Sequence, residues 1–338
     1  MDSLTQAVLG AAVGEAVLGR RAGRRAAAWG AVLGTLPDLD VFVPFGSPVA
    51  DFTFHRAESH ALFWLTLAAP LCAWAITRLH RDQRAEFRGW LLLCWLCLVT
   101  HPLLDALTIY GTQLGLPFTN HPFGTGSVFV IDPAFTLPVL AGVLGAVLLR
   151  RRPLGHRLNA LGLGVGCAYL AFGLAAQAHV AGHVRAELAR AGLAADRVLV
   201  TPTPFNGVLW RVLAMQPGGY CEGFRSLLDG DAPFAPRCFE SRPELLEPVA
   251  DAWAVERLRW FTKGWYSVRR EGDEIVFRDL RMGQEPLYAF TFVVGVVRDG
   301  RTVPLVPERQ VEVSYRDRAR GGFGWLWRRI SDPTLPPP

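Results

Sequence analysis

The stretch Arg88-Gly-Trp-Leu-Leu-Leu-Cys-Trp-Leu-Cys-Leu-Val-Thr-His-Pro-Leu-Leu-Asp105 decides how this chain is organised. It leaves a single arginine, stays apolar, and ends on a histidine and an aspartate four residues apart. Crossing the hydrocarbon core of a bilayer takes about 20 residues, so the run 89–108 predicts a membrane-spanning helix with ionisable groups near one end. Residues at i and i+4 share a helix face, so His101 and Asp105 can grip one cation between them. The bland alternative is a His–Asp hydrogen bond that locks two helices together.

Working outward, further apolar segments lie at 4–19, 26–43, 61–77, 134–149 and 158–178, giving about six in all. The first two are rich in Ala and Gly and are weaker spans; a tilted or re-entrant hairpin is the alternative for them. Ser3-x-x-Gln6 predicts a capping box at the first helix. Gly10, Ala11, Gly14, Gly30 and Gly34 predict close packing of those two helices.

Arginines punctuate alternate gaps: Arg20, Arg21, Arg24 and Arg25; then Arg78, Arg81, Arg84 and Arg88; then Arg150, Arg151, Arg152 and Arg157. The intervening gaps, 37–60 and 109–133, hold Arg56 as their only Arg or Lys. The positive-inside rule puts the arginine gaps in the cytoplasm and the others outside. Six passes then leave the N-terminus and everything after about residue 180 outside a bacterial cytoplasmic membrane. The start Met1-Asp-Ser3 has no basic n-region of a secretory signal.

The expected fold is therefore an α-helical multi-pass membrane bundle over 1–178, an extracytoplasmic β-rich α+β domain over 179–330, and a Pro-rich tail at 331–338. In the second domain, 265–277, 288–298 and 303–315 have strand character, Asp299-Gly300 signals a hairpin, and 241–262 is helical in pattern. The net charge of +5 rests on arginine, with Lys263 the only lysine. No basic stripe interleaved with aromatics is present, which argues against a nucleic-acid partner. Cys94-x-x-Cys97 lies inside an apolar run and predicts small buried residues rather than a redox motif. Cys221 and Cys238 could pair, but only outside the cytoplasm.

The ionisable residues fall on the arginine-poor side. Asp38 and Asp40 follow Pro37, where a solvated turn is the bland explanation. His55 and His60 precede the third apolar segment, with Arg56 between them able to hold a phosphate oxygen or simply to snorkel. Carboxylates facing imidazoles suit zinc or another first-row dication, and two carboxylates can bridge two ions. Asp132-Pro133 fits an N-cap, with Asp132 a supporting candidate. His179-x-x-x-His183 has ligand spacing with nothing beside it. Glu15 is placed to pair with Arg20, and Gln6 to hydrogen-bond a ligand. The second domain offers no nucleophile–base motif.

At Met1-Asp-Ser-Leu-Thr-Gln6, Pro37-Asp-Leu-Asp40, His55-Arg-Ala-Glu-Ser-His60, His101-Pro-Leu-Leu-Asp-Ala-Leu-Thr-Ile-Tyr-Gly-Thr-Gln113 and Ile131-Asp-Pro-Ala-Phe-Thr-Leu-Pro138, the chain resembles the YdjM/YbcI/YfhP-type family of membrane-bound proteins assigned as metal-dependent hydrolases. Thr203-Pro-Phe-Asn206 with Trp210-Arg211 resembles its longer members. That family is similar to zinc phospholipase C and P1-type nucleases. The resemblance implies Asp38, Asp40, His60, His101 and Asp105 as metal ligands, with His55 a further candidate. Many members have His where Gln6 stands, so it implies a reduced cluster of one or two ions, zinc first and manganese second. The implied activity is phosphoester hydrolysis on a membrane lipid or lipid-linked substrate. Asp38 or Asp40 would bridge or act as base, and Arg56 would steady an oxyanion. The rivals are a transporter or proton relay, and a scaffold with a structural metal.

Overall fold

The computed structural model describes residues 1–150, 152–190, 197–312 and 316–337, with backbone alone for 316–321. Its first elements are helices α1 (Ser3–Ala22) and α2 (Arg24–Thr35), a 3-10 turn over Pro37–Phe42, and α3 (Pro48–Phe54). After a second 3-10 turn at Glu58–His60 come α4 (Leu62–Leu79), α5 (Phe87–Asp105), α6 (Pro133–Leu148) and α7 (Pro153–Arg190). The chain divides into two compact units. One contains Met1–Val43, His55–Leu174 and Pro204–Asn206; the other contains Pro44–Phe54, Ala175–Thr203 and Gly207–Pro338.

In the first unit α1 begins as expected, but Asp2 rather than Ser3 is its cap, accepting from the Thr5 amide at 3.0 Å. Gln6 is thereby released from any capping role. α1 and α2 pack backbone to backbone: a Cβ added at Gly10 would stand 2.1 Å from the Gly30 carbonyl oxygen. Cys94 and Cys97 are buried with free thiols. Glu15 is buried and meets His156 Nδ1 at 3.2 Å, not Arg20.

Among the described residues, three helical stretches are long and apolar enough to cross a membrane: Leu62–Leu79, Arg81–Asp105 and Pro153–Arg190. The expectation of six spans is not met. α2 has only 12 residues, and at about 1.5 Å per residue it falls well short of a bilayer core. α1 has the length, but its polar residues and glycines dilute its hydropathy. α6 is apolar yet only 16 residues long. The apolar run 158–178 is the middle of α7, which continues to Arg190.

The arginine-bearing connections meet at one end of this unit. Arg21 pairs with Glu86 at 3.0 Å and Arg25 with Asp82 at 2.6 Å, while Gly23 lies against Arg150. The opposite end gathers the start of α1, the end of α2, the start of α4 and the end of α5.

The second unit is built on two antiparallel four-stranded sheets. The first runs in the order β1 (Arg197–Pro202), β2 (Leu209–Gln216), β3 (Gly219–Ser226), β4 (Arg237–Glu240). None of these strands was expected, although the turn Gln216-Pro-Gly-Gly219 with Gly218 at φ 74° marks the β2–β3 hairpin. Helix α8 (Trp253–Thr262) follows, then β5 (Tyr266–Glu271) and β6 (Glu274–Asp279). A small pair, β7 (Gly283–Gln284) and β8 (Leu287–Tyr288), precedes β9 (Thr291–Arg298), β10 (Arg301–Gln310) and α9 (Arg316–Arg329). The second sheet has the order β10-β9-β6-β5.

Asp299 and Gly300 both take positive φ, 51° and 74°, as the expected hairpin requires. Part of the third predicted strand, 313–315, lies outside the described residues. In the Pro-rich end, the Pro336 carbonyl accepts from Trp325 Nε1 at 2.5 Å. Cys221 and Cys238, opposite one another on β3 and β4, form a disulfide.

Candidate metal centre

Four of the singled-out residues converge in the first unit. One ligand atom each from Asp38, His60, His101 and Asp105 lies within 4.8 Å of the others. They arrive from three elements. Asp38 sits in the 3-10 turn after α2, begun by Pro37 at its first position. His60 closes the 3-10 turn before α4, and α5 delivers His101 and Asp105 one turn apart.

The facing edges are short and even. His60 Nε2 stands 3.0 Å from His101 Nε2, 3.4 Å from Asp38 Oδ1 and 3.3 Å from Asp105 Oδ2. His101 Nε2 is 3.5 Å from each of the same two oxygens. A tetrahedral zinc with bonds of about 2.0–2.1 Å has donor–donor edges of about 3.3 Å. The five distances that involve an imidazole are close to that edge.

Hydrogen bonds fix which imidazole nitrogen faces inward. His101 Nδ1 donates to the Gly34 carbonyl at 2.6 Å, leaving its Nε2 lone pair toward the cluster. Ser59 Oγ donates to Asp40 Oδ2 at 2.5 Å, so its oxygen accepts from His60 Nδ1 at 2.8 Å. The His60 Nε2 lone pair is then also inward. Two imine nitrogens at 3.0 Å repel unless a cation or a proton stands between them. Asp38 Oδ1 and Asp105 Oδ2 are buried and have no hydrogen-bond partner among the described residues. Unsatisfied carboxylate oxygens beside two lone pairs mark a place for positive charge.

The electrostatics agree. Burial pushes the Asp38 carboxyl up, but the adjoining imidazoles of His101 and His60 outweigh it and hold it far below the usual carboxylate range. Burial works against protonating His60, yet Asp105 and Asp38 prevail and raise it above its ordinary value. Burial opposes ionisation of Asp40 as well, and His55, Ser59 and the Arg56 amide together lower it.

Asp40 and His55 lie beside the four donors without joining them. Asp40 is occupied by His55 Nδ1 at 2.7 Å, the Arg56 amide at 3.0 Å and Ser59. Its oxygens orient these neighbours. His55 turns its Nε2 away from Asp40 and keeps 21% side-chain exposure. Arg56 is buried beside Asp105, with Nε 3.3 Å from Oδ2 and the guanidinium 5.0 Å from the Tyr110 ring centroid. Its φ of 64° is a left-handed conformation costly for a side chain of this size.

Gln6 Nε2 donates to Asp105 Oδ1 at 3.0 Å, as a ligand-positioning residue would, and the Met1 amino group contacts the same oxygen. Asp132 caps α6 and binds the Tyr169 hydroxyl at 2.7 Å, apart from the cluster. In the second unit His183 bonds Arg225 at 2.9 Å and joins no metal-type group among the described residues. Ser59 and the Gly34 carbonyl were not singled out from sequence. Ser59 could have been, since it directly precedes a candidate ligand; a carbonyl leaves no sequence signal.

A family model described as YdjM inner membrane protein matches residues 1–180. No curated protein and no solved structure matches.

Proposed function

From a chain that belongs to the YdjM inner membrane protein family, we propose a membrane-bound metal-dependent hydrolase in which Asp38, His60, His101 and Asp105 hold one divalent cation. The observation that carries it is the close spacing of four inward-facing donors, two of them buried carboxylate oxygens that accept no hydrogen bond among the described residues. Zinc fits the donor set first and manganese second. When bound, such a cation supplies a Lewis acid and lowers the pKa of water, the chemistry a phosphoester cleavage needs.

The chain's own residues prepare that chemistry. Gly34 and Ser59 hold the two imidazoles in the tautomers that bind metal. Asp40 orients His55 through Nδ1, leaving His55 Nε2 at the exposed edge to take or give a proton. Arg56, with Nε 3.3 Å from Asp105 Oδ2, offsets the charge of Asp105. The arginine end is cytoplasmic on the positive-inside rule, and the Cys221–Cys238 disulfide supports an extracytoplasmic second unit.

A second reading, a structural metal that staples the helices, draws support from the same closeness: four protein donors complete a tetrahedron, whereas catalytic zinc keeps one position open. Asp38 separates the two. It is the most exposed of the four, at 15% against 0% for the rest, and the ligand best placed to give way.

The test is elemental mass spectrometry on detergent-purified protein, wild type beside His101→Ala and Asp105→Ala. Near-stoichiometric metal lost in both variants supports the site; a chelator-sensitive phosphoesterase activity then supports the hydrolase. Metal without hydrolysis, with thermal stability lost on chelation, selects the staple. No bound metal after reconstitution with zinc or manganese removes both.

A further inference from the structure

The turn that supplies Asp38 also carries an apolar outer face. Leu39 and Phe42, three apart on a 3-10 turn, share one side and are 51% and 80% exposed. Val41 and Val43 are exposed beside them at 65% and 50%. Asp38 and Asp40 in the same turn point the other way, into the cluster and its surround. This is not a solvated Asp-rich turn: its acidic members face inward and its aliphatic and aromatic members face out.

A second apolar tip stands by the start of α4. Phe118, also 80% exposed, packs edge-on to Phe63 at 5.4 Å, and its loop is tied to α4 by the Leu62 amide donating to the Leu114 carbonyl at 3.1 Å. From Phe63 the exposed apolar surface continues along α4 through Trp64, Leu67, Leu71 and Trp74. α4 is one of the helices long and apolar enough to cross a membrane, so this surface is the lipid-facing one. Exposed apolar surface continuous with a span marks membrane contact rather than a water-facing rim.

We infer that the Pro37–Phe42 turn is seated in the bilayer interface, its outer face among acyl chains, and that the metal site opens sideways onto the membrane at Asp38. The ligand that reaches it is then an amphiphile whose polar group lies close to its acyl anchor, not a freely diffusing ester. The substrate half of this inference rests on the hydrolase reading; the seating of the turn does not.

Wild-type protein in nanodiscs containing phosphatidylcholine with a diazirine-bearing acyl chain tests it. After photolysis, peptide mass spectrometry maps the adducts, and zinc content is measured on the same preparation. The expected result is labelling over 39–43 in yield comparable to the exposed face of α4. Loss of labelling over 39–43 while α4 is labelled, with Phe42 instead oxidised by a water-borne radical probe, overturns the inference whether or not zinc is bound. Labelling over 39–43 in protein that binds no zinc upholds the seating and removes the hydrolase.

Discussion

His101 Nδ1 donates to the carbonyl oxygen of Gly34 at 2.6 Å, which ties the ligand helix α5 to the last turn of α2. That carbonyl is held in turn by glycine packing, since a Cβ at Gly34 would lie 2.4 Å from the Gln6 carbonyl oxygen. The small-residue stripe of the α1–α2 hairpin therefore sets the tautomer of a metal-facing imidazole.

Gly30→Ala consequently acts at a distance. Its Cβ would meet the Gly10 carbonyl oxygen at 2.1 Å, and backbone cannot yield as a side chain can. Overpacking of this kind costs about 1–3 kcal/mol. A lower melting temperature in detergent and weaker zinc retention are expected together; an unchanged melt would contradict the packing.

Asp40→Asn and Ser59→Ala remove the relay that holds His60 Nδ1. Changes to groups that orient metal-bound imidazoles typically weaken binding by roughly 10–100-fold. Competition with a zinc chelator measures this directly. Affinities equal to wild type would mean that the relay does not act on the metal.

His55→Ala separates ligand from proton handling. His55 meets Asp40 and not the four donors, so the variant keeps its metal content. If an activity is found, the rate and its pH profile change while bound zinc does not. Loss of zinc would return His55 to the ligand set.

Lys263 provides a pH test in the second unit. Burial first, and Arg281 second, depress its ammonium to about 8. Between that value and the unfolded value of about 10.4, the folded chain has released a proton that the unfolded chain keeps, so stability rises with pH across this window. Thermal melts should show wild type gaining on Lys263→Met from about pH 7 to about pH 10, since methionine has no charge to bury. Parallel melting curves would show that the amine is not desolvated.

Reducing the Cys221–Cys238 bond opens a link across 17 residues of sequence. Closing a loop of about 15 residues contributes about 3 kcal/mol. Cys221→Ser with Cys238→Ser should lower the unfolding temperature of the second unit by a margin that reductant reproduces in wild type. A melt insensitive to reductant would mean the bond is not formed.

Much of the site was legible because its signals are local. His101-x-x-x-Asp105 needs only helical periodicity to put both groups on one face, and Asp299-Gly300 needs only the φ preferences of a tight hairpin. The span count was not legible. An apolar run does not show where its helix ends: the run 26–43 holds only the 12-residue α2 and a 3-10 turn, too short to cross a bilayer. β1 to β4 were missed because their strands mix charged with apolar residues: Arg211 and Glu222 are buried as a mutual ion pair, which no single-strand pattern reports.

The sequence by itself determined that four chemistry-bearing stretches lie at one end of an apolar bundle, because charge in the gaps and helical spacing are properties of short segments. Only the tertiary structure decided which atoms face one another. It separated Asp38, as one of the four donors, from Asp40, which orients His55 and His60. It paired Arg56 with Asp105, and it recruited a glycine carbonyl and a serine hydroxyl to fix two tautomers. Those choices depend on 3–3.5 Å distances between segments as far apart as Gly34 and His101, and such distances exist only after the glycine-packed hairpin has closed against α5.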